Sequence, residues 1–251
     1  MPKISALIIT LNESKNISFV LENLSFADEI IVVDSYSEDD TADIAKSYPN
    51  VKVFQNKFLD FTTQRNFALE KANHEWILFL DADERVTDDL KDEILEVINQ
   101  PKTADAYYFY RKFMFKGKPL NFSGWQTDKN IRLFKKSKST YTAERLVHEV
   151  LKVEGTTSYM KHKLIHYSYS SYSSYKAKMI SYAKLKAKEL KQKGLEKPNA
   201  YHYLIKPAYK FLYDYVIRLG ILDGRKGIII CYLNALSVYR RYPFLKQLSK
   251  Q

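Results

Sequence analysis

A run of apolar residues that ends in two aspartates is the feature that most constrains the fold of this chain. Trp76 to Leu80 are all apolar, and Asp81 and Asp83 follow at once. An uninterrupted apolar run of this length is typical of a strand buried on both faces, as in a parallel sheet. Because residues i and i+2 of an extended chain point to the same side, the two carboxylates are predicted to face one point in space.

Two carboxylates at the carboxyl end of a buried strand suit a hard divalent cation. Mg²⁺ and Mn²⁺ prefer oxygen ligands and take some of them from substrate phosphates. Open α/β sheets bind their ligands at the same edge. The alternative is a polar turn that leaves the strand, which is the commoner meaning of an isolated Asp-x-Asp. The elements that precede Asp81 therefore matter to the interpretation.

The first hundred residues alternate strand-like and helix-like segments. The predicted strands are Ile4–Thr10, Glu29–Asp34, Val51–Phe54 and a fourth that ends at Asp81. The predicted helices include Thr41–Tyr48, Phe61–Ala72 and Asp88–Asn99. This alternation implies right-handed crossovers and a mostly parallel, Rossmann-like sheet of an α/β protein. No Gly-x-Gly-x-x-Gly follows the first strand, which disfavours dinucleotide binding by a glycine-rich turn.

Charge is distributed unevenly along the 251 residues. Residues 1–160 hold 21 Lys and Arg against 25 Asp and Glu, whereas residues 161–251 hold 19 against 4, so the net charges are −4 and +15. Thirteen of the 20 Tyr residues also lie in the basic part. Two surfaces with different partners are predicted. The single cysteine, Cys231, excludes an intrachain disulfide and fits a reducing compartment, and no secretory signal is expected at the start of the chain.

Four motifs occur in order along the chain, at Ile8–Glu13, Ile31–Ser35, Gln64–Ala68 and Leu80–Glu84. Together they resemble glycosyltransferase family 2. Further similarity, to the bacterial branch that contains the lipopolysaccharide core β-glucosyltransferases, is carried by Ser123–Trp125, Ile131–Phe134, Val147–Glu149 and His166–Tyr169. The resemblance implies the GT-A fold, here with a C-terminal basic helical extension. It also implies transfer from a nucleotide-diphosphate sugar with inversion at the anomeric carbon.

The same resemblance implies a division of the chain into three regions. Residues 1–100 would form the nucleotide-sugar-binding half of the GT-A domain, and residues 101–170 the acceptor-binding half. Residues 171–251 would form the basic, Tyr-rich helical region.

Donor-binding roles follow from the resemblance, position by position. The nucleotide would contact Thr10, Asn12 and Glu13 at the end of the first strand, with Asp34 and Ser35 near the base. Ser35 replaces the second carboxylate of the family's commoner Asp-Asp pair, which leaves the identity of the base open. Arg65 would reach the base or the diphosphate, because a guanidinium suits planar oxygen acceptors. The alternative for Arg65 is an arginine on a helix surface.

The metal and the base complete the expected active site. Asp83 would be the principal ligand of Mg²⁺ or Mn²⁺, and Asp81 would bind the metal or lie beside it on sugar or ribose hydroxyls. Glu84 is assigned no role beyond starting the next turn. The resemblance makes Glu149 the catalytic base that takes the proton of the acceptor hydroxyl. Its alternatives are Glu144 and Asp128, or a surface carboxylate with no catalytic role.

Two further residues are candidates for binding the acceptor. His148 could orient Glu149, position the acceptor or be structural, and Trp125 could stack on a sugar ring or belong to the core. A zinc site at His162 and His166 is disfavoured, since their segment is strand-like and no zinc motif surrounds them.

The basic part is predicted to bind a membrane surface. Three helices are expected, at Ser174–Lys193, Asn199–Leu219 and Leu222–Tyr242. The longest uncharged run, Gly227–Tyr239, is 13 residues long, which is too short to span a bilayer. Amphipathic helices rich in Lys, Arg and Tyr can lie among anionic headgroups. The alternatives are a helical cap packed on the catalytic domain and a surface that buries a second subunit; nucleic acid is disfavoured because no nucleic-acid motif is present.

Together these features predict a cytoplasmic enzyme, peripheral on the inner face of the cytoplasmic membrane. It would transfer a hexose, with UDP-glucose the expected donor, to a lipopolysaccharide-core or other cell-envelope glycolipid. One alternative is transfer to a polyprenyl phosphate, which is already ionised and needs no base. An alternative of another class is a nonenzymatic module that binds a nucleotide sugar or a membrane.

Overall fold

The computed structural model describes residues 1–142, 150–169, 171–195 and 197–249. It divides into two compact units. The first comprises residues 1–111 and 129–166, and the second comprises residues 112–128 and the chain from Tyr167 onward. The predicted donor-binding region, 1–100, lies in the first unit, whereas the predicted acceptor-binding region, 101–170, contributes to both.

The elements of the amino-terminal part alternate as predicted. They are β1 (Ile4–Thr10), α1 (Ile17–Asn23), β2 (Glu29–Asp34), α2 (Thr41–Lys46), β3 (Val51–Gln55), α3 (Phe61–Lys71), β4 (Trp76–Asp81), β5 (Glu84–Arg85) and α4 (Asp88–Asn99). The elements that follow are β6 (Ala106–Phe115), β7 (Lys118–Leu120), β8 (Lys129–Lys135), a 3₁₀ turn (Lys136–Lys138), β9 (Ser139–Thr142), β10 (Val150–Val153), β11 (Thr157–Tyr159) and β12 (Leu164–Tyr169).

The sheet of the first unit is mixed, with a parallel half. Its strand order is β3, β2, β1, β4, β8, β6, and the first four strands are parallel to one another. Strand β8 runs antiparallel to β4 and to β6. The predicted α/β class is therefore confirmed, and the parallel strands are those of the predicted alternation. Strand β5 pairs with β12, and β9 pairs with β10.

Both faces of the parallel strands are covered by helices, which explains their uninterrupted apolar runs. One face packs against α1 and α4 through side chains such as Leu21 and Ile94. The other face packs against α3 through Ala68, Leu69 and Ala72. The carboxyl ends of the strands are thereby left as the edge at which polar side chains can gather.

Side-chain caps set where two of these helices begin. The carboxylate of Asp60 accepts a hydrogen bond from the backbone N–H of Thr63 at 2.7 Å, immediately before α3. The hydroxyl of Thr87 accepts one from the N–H of Leu90 at 3.2 Å, before α4. Such caps satisfy backbone donors that have no partner within the helix. The cap at Asp60 therefore sets the start of the helix that carries Arg65.

The second unit is mainly helical. Its long helices are α5 (Tyr172–Gln192) and α7 (Gly224–Leu248). Between them lies a continuous helical segment made of a π-helical turn (Tyr201–Ile205), α6 (Lys206–Leu212) and a second π-helical turn (Tyr213–Ile217), followed by a 3₁₀ turn (Gly220–Asp223). The three helices predicted for this region are confirmed with shifted bounds. None of the described helices combines the length and the apolarity that crossing a bilayer requires.

Two glycines let the 3₁₀ turn approach α7 closely. A Cβ added to Gly227 would lie 1.8 Å from the carbonyl oxygen of Gly220. A Cβ added to Gly220 would lie 2.7 Å from the sulfur of Cys231. No side chain fits at either distance, so both positions require glycine for this packing.

Candidate active site

The carboxyl ends of the parallel strands bring the predicted donor-binding residues of the first unit to one edge. Strand pairing places Thr10 of β1 beside Asp34 of β2, and Ile9 beside Asp81 of β4. The loops that follow β1 and β4 carry Asn12, Glu13 and Asp83 from the same edge. The structure therefore gathers residues that are distant in sequence, as expected for an open α/β sheet.

The carboxylate of Asp81 is held between two arginines. Nη2 of Arg65 donates to Oδ1 of Asp81 at 2.9 Å, and Nη2 of Arg132 donates to Oδ2. Burial alone would raise the pKa of Asp81, but the two guanidinium groups outweigh it and hold that pKa well below its usual range. Asp81 is thus ionised at neutral pH, and each of its oxygens already has a cationic partner.

Glu84 is a second carboxylate in the same network and is fully buried. It accepts from Nη2 of Arg132 at 2.7 Å and from Nη1 of Arg111 at 3.3 Å. Its other oxygen accepts from the backbone N–H of Asp81 at 3.1 Å. Glu84 is therefore more than the start of a turn, since it fixes both the backbone of Asp81 and the arginine that binds the Asp81 side chain.

Arg65 is positioned by aromatic rings as well as by Asp81. Its guanidinium carbon lies 4.6 Å from the ring centre of Phe79 and 5.5 Å from that of Tyr141. The neighbouring Asn66 exchanges two hydrogen bonds with the backbone of Tyr141, at 2.9 and 3.1 Å. Arg65 is buried, so the alternative of an arginine on a helix surface is wrong. The Arg-Asn pair joins α3 to β4 and to β9.

Asp83 lies beside a histidine. Its Oδ2 is 3.1 Å from Nε2 of His166, and its side chain remains 26% exposed. Burial raises the pKa of Glu13, and the nearby charges of Asp83 and Asp39 raise it further, although a hydrogen bond from Asn16 opposes them. The edge at Asp83 is therefore locally rich in negative charge, with an imidazole next to it.

This arrangement fits the cation that the family implies. Among the described residues, no group of three or more His, Cys, Asp and Glu side chains is placed to hold a metal ion by itself. Mg²⁺ and Mn²⁺ are often held by one or two protein ligands together with substrate phosphates. Asp83 offers a partly exposed carboxylate, which is a ligand type that suits Mg²⁺ and Mn²⁺. The oxygens of Asp81 are less available, because both are bound to arginines.

The turn after β2 is closed by Asp34. This residue is fully buried, and its two oxygens accept hydrogen bonds from the backbone N–H and the hydroxyl of Ser37. Ser35, by contrast, is partly exposed, and its hydroxyl accepts a hydrogen bond from Gln64 at 3.0 Å. A ligand would reach the Asp34 carboxylate only if the turn at Ser37 opened, whereas Ser35 is accessible as the structure stands.

The loop after β1 is tied to the loop that precedes α2 and to the first residue of that helix. The backbone N–H of Asn12 donates to the hydroxyl of Ser37 at 2.9 Å, and that of Glu13 donates to the hydroxyl of Thr41 at 2.8 Å. Asn12 is exposed and Glu13 partly so, whereas Thr10 is buried. The Thr10 hydroxyl has no hydrogen-bond partner within the described residues. Asn12 and Glu13 are thus the open part of this loop.

The remaining predicted residues lie in the second unit or outside the part of the chain that the structure describes. His148 and Glu149, with the alternative base Glu144, lie outside the described residues. Trp125 belongs to the second unit and packs on Phe113 with 4.1 Å between ring centres. That contact agrees with the alternative in which Trp125 is part of a core.

Three residues that sequence reasoning left without a role contribute most to the geometry of the site. Arg132 and Glu84 pair across 48 positions of sequence, and His166 meets Asp83 across 83. One signal was available for Arg132, since an arginine inside the apolar run Ile131–Phe134 requires a buried partner. No comparable signal identifies which acid is that partner.

Comparison with known proteins identifies the family of this chain. Residues 5–164 match the model of Glycosyl transferase family 2. The lipopolysaccharide core biosynthesis glycosyltransferase LpsC of Rhizobium meliloti is 26% identical over 256 residues, which cover 96% of this chain and 94% of LpsC. The uncharacterized glycosyltransferase RT0209 of Rickettsia typhi is 30% identical over 261 residues, covering 99% of this chain and 88% of the relative.

A solved structure shares the fold. The mannosyltransferase PcManGT from Pyrobaculum calidifontis, in complex with GDP-Man and Mn²⁺, aligns with a TM-score of 0.55 at 16% identity, over 96% of this chain and 88% of that one. The predicted GT-A fold is thereby confirmed. Because the family model covers more than half of the sequence, the chain belongs to glycosyl transferase family 2.

Proposed function

We propose that this protein is a metal-dependent, inverting glycosyltransferase that moves a hexose from UDP-glucose to a lipopolysaccharide-core or related cell-envelope glycolipid. One observation carries the proposal. The partly exposed carboxylate of Asp83 stands beside His166 at the carboxyl edge of the sheet, next to an Asp81 that Arg65 and Arg132 keep ionised. The arrangement suits a diphosphate leaving group that arrives with its cation.

The donor would bind over the loops that leave the parallel strands. Asn12, Glu13 and Ser35 are accessible there and offer hydrogen-bonding groups to a nucleoside. Asp34 and Thr10 are buried, so they would act by holding those loops rather than by direct contact. Arg65 forms an ion pair with Asp81, and its positive charge lies near the site where a diphosphate would enter.

The cation would be held by Asp83, with His166 orienting that carboxylate. When bound, it would offset the charge that develops on the leaving diphosphate. The Mn²⁺ in the complex of PcManGT, which shares the fold, supports the use of a divalent cation. Asp81 would stay with its arginines and keep the backbone before Asp83 in place.

Inversion requires a base that takes the proton of the acceptor hydroxyl. We assign this role to Glu149 on the basis of the sequence motif alone. Replacing it, as Glu149→Gln, would abolish transfer to a sugar hydroxyl while leaving donor binding intact. Unchanged turnover would reject the assignment and favour a polyprenyl-phosphate acceptor, which carries no such proton.

The acceptor assignment is supported by LpsC, whose name places it in lipopolysaccharide core biosynthesis. Core glycolipids are built on a lipid anchor, so the enzyme would work on the cytoplasmic leaflet of the membrane. Transfer is tested with UDP-glucose, Mn²⁺ and glycolipid extracted from a strain that lacks this enzyme, by following UDP release. No release above the rate without acceptor would reject the glycolipid.

The donor is tested first, by thermal denaturation of the full chain with a panel of nucleotides, with and without Mn²⁺. A ligand at 100 times its dissociation constant stabilises the folded state by about 2.7 kcal/mol. UDP is expected to raise the melting temperature only when Mn²⁺ is present, and Asp83→Asn should remove the shift. Asp88→Asn is the matched control, because Asp88 is an exposed acid at the start of α4. A shift with another nucleotide alone would replace UDP in the proposal, and no shift at all would reject it.

A further inference from the structure

The helical segment 201–217 of the second unit exposes one apolar side. Its members are adjacent or three to four residues apart, and each is between 53% and 67% exposed. They are Leu204, Ile205, Tyr209, Leu212, Val216 and Ile217. We call these six residues the apolar stripe. Spacing of this kind places them on one side of the helical segment.

The opposite side of the same segment is the one that packs on α7, and it is more polar. The ring of Tyr203 lies 6.0 Å from that of Tyr239 and 5.7 Å from that of Tyr242. Asp214 is only 1% exposed, and its carboxylate accepts hydrogen bonds from Asn234 at 2.9 Å and from Lys210 at 2.8 Å. An amphipathic helix of a soluble protein normally buries its apolar side, and this segment does the reverse.

Exposure of this apolar side to water is unfavourable unless a binding partner covers it. Soluble monomers rarely expose contiguous apolar patches of more than a few hundred Å², and larger ones mark interaction sites. The stripe extends beyond the segment, because Ile221 and Leu222 of the following 3₁₀ turn are 54% and 62% exposed. The packing on α7 therefore leaves a surface suited to a partner that accepts apolar side chains.

The charge around the stripe indicates the chemistry of that partner. Residues 161–251 carry a net charge of +15. Lys206 lies within the segment, its ammonium 5.4 Å from the ring centre of Tyr201, and Arg225 is exposed just beyond the 3₁₀ turn. A second copy of this chain would bring the same positive charge to the stripe, whereas an anionic surface would complement it.

We propose that the apolar stripe inserts into the headgroup layer of an anionic lipid bilayer, with the surrounding lysines and arginines bound to lipid phosphates. Helices that combine an apolar face with tyrosines and flanking basic residues bind in this way, parallel to the membrane. The inference deepens the proposed function and rests on it for its purpose, since this surface would bring the enzyme to a glycolipid acceptor. The evidence for the surface itself is independent of the reaction.

The test is co-sedimentation of the full chain with vesicles, without donor or acceptor, so that it does not depend on activity. Phosphatidylcholine vesicles are compared with vesicles that also contain 30% phosphatidylglycerol, a fraction of about one third that keeps the surface strongly anionic. The stripe variant is Leu204→Gln with Leu212→Gln. The matched control is Phe19→Gln with Leu59→Gln, at apolar residues of the first unit that are 62% and 72% exposed.

The wild type and the control variant are expected to bind the anionic vesicles at least tenfold more tightly than the neutral ones. The stripe variant should lose at least tenfold in binding to anionic vesicles, with an unchanged melting temperature, since the substituted side chains already face solvent. Equal binding by the stripe variant and the wild type would overturn the proposal, even if high salt abolished both, because the charges alone would then suffice.

A second measurement tests whether a second copy of this chain covers the apolar stripe. Sedimentation of the wild type without lipid would reveal a dimer if a second copy covered the stripe. A dimer that the stripe variant dissociates, together with no vesicle binding by the wild type, would overturn the proposal in favour of self-association. A monomer that binds anionic vesicles through the stripe supports it. A failure of vesicle binding would leave the donor-binding test of the proposed function unaffected.

Discussion

Asp83 and His166 meet at the carboxyl edge of the sheet, with Oδ2 of the aspartate 3.1 Å from Nε2 of the histidine. The contact depends on the pairing of β12 with β5, which sets His166 opposite Glu84. The short strand β5 therefore does two things, since it buries Glu84 and brings the imidazole to the carboxylate proposed to hold the metal.

The first prediction is that His166→Ala raises the Mn²⁺ concentration at the midpoint of UDP binding by about 10- to 100-fold. This is the usual loss of metal affinity when a group next to a metal ligand is removed. The reason is that Asp83 loses the partner that orients it. The measurement is a Mn²⁺ titration of the UDP-induced thermal shift. His162→Ala is the matched control, because this side chain is 47% exposed and lies four residues earlier. The same Mn²⁺ midpoint in both variants would contradict the role of His166.

The second prediction concerns Glu84, which is fully buried against two arginines. Glu84→Ala is expected to lower the free energy of unfolding by about 3–5 kcal/mol, because removing one partner of a buried ion pair leaves the other charge uncompensated. Urea denaturation measures it. Glu70→Ala, at an exposed position of α3, should change stability by less than about 0.5 kcal/mol. If Glu84→Ala lowers the free energy of unfolding no more than Glu70→Ala does, the prediction is wrong, and solvent must reach the network around Glu84.

The alternation of strands and helices could be predicted because each signal is local. Strands β1, β2 and β4 are apolar runs ended by polar residues, and this pattern is what burial on both faces of a parallel sheet requires. The position of Asp81 and Asp83 at the sheet edge follows from the same pattern. These features need no information about which distant residues meet.

The pairing of Arg132 with Glu84 and Asp81 could not be predicted, because it depends on the antiparallel entry of β8 beside β4. The apolar run Ile131–Phe134 indicates a strand but not its direction. Which side of the helical segment 201–217 is buried could not be predicted either. The sequence predicts helices that lie on a membrane surface or pack on the catalytic domain, and the contacts of Asp214 and Tyr203 with α7 decide which side of this segment is buried.

The third prediction separates the two interpretations of Trp125. Its indole packs on Phe113 and lies 6.2 Å from the ring of Tyr175 and 6.3 Å from that of Tyr169. Trp125→Ala is expected to lower stability by about 3 kcal/mol, as for other large core truncations. Trp125→Phe should recover most of this, because a ring still fills the space. Unchanged stability of Trp125→Ala, with a raised KM for the acceptor, would instead identify a sugar-stacking residue.

The fourth prediction is a pH dependence of stability at Glu29, at the opposite edge of the sheet from Asp81. Burial alone would raise the pKa of Glu29, but hydrogen bonds from Lys52, Asn73 and Ser5 outweigh it and lower that pKa to about 2. A carboxyl whose pKa is lower in the folded state stabilises the protein above the unfolded-state pKa. That contribution is lost as the pH falls from about 4.5 toward about 2.

The contribution is measured by urea denaturation of the wild type and of Glu29→Gln between pH 7 and pH 2. The stability advantage of the wild type should reach at most about 3 kcal/mol near pH 7, from the size of the pKa change. This stability advantage should fall steadily below pH 4.5, because Glu29 then takes up a proton in the unfolded state but not in the folded state. Glu70→Gln is the matched control and should show no such trend, since Glu70 is exposed. An advantage of the wild type at Glu29 that stays constant down to pH 2 would mean that Lys52, Asn73 and Ser5 do not favour the ionised carboxylate.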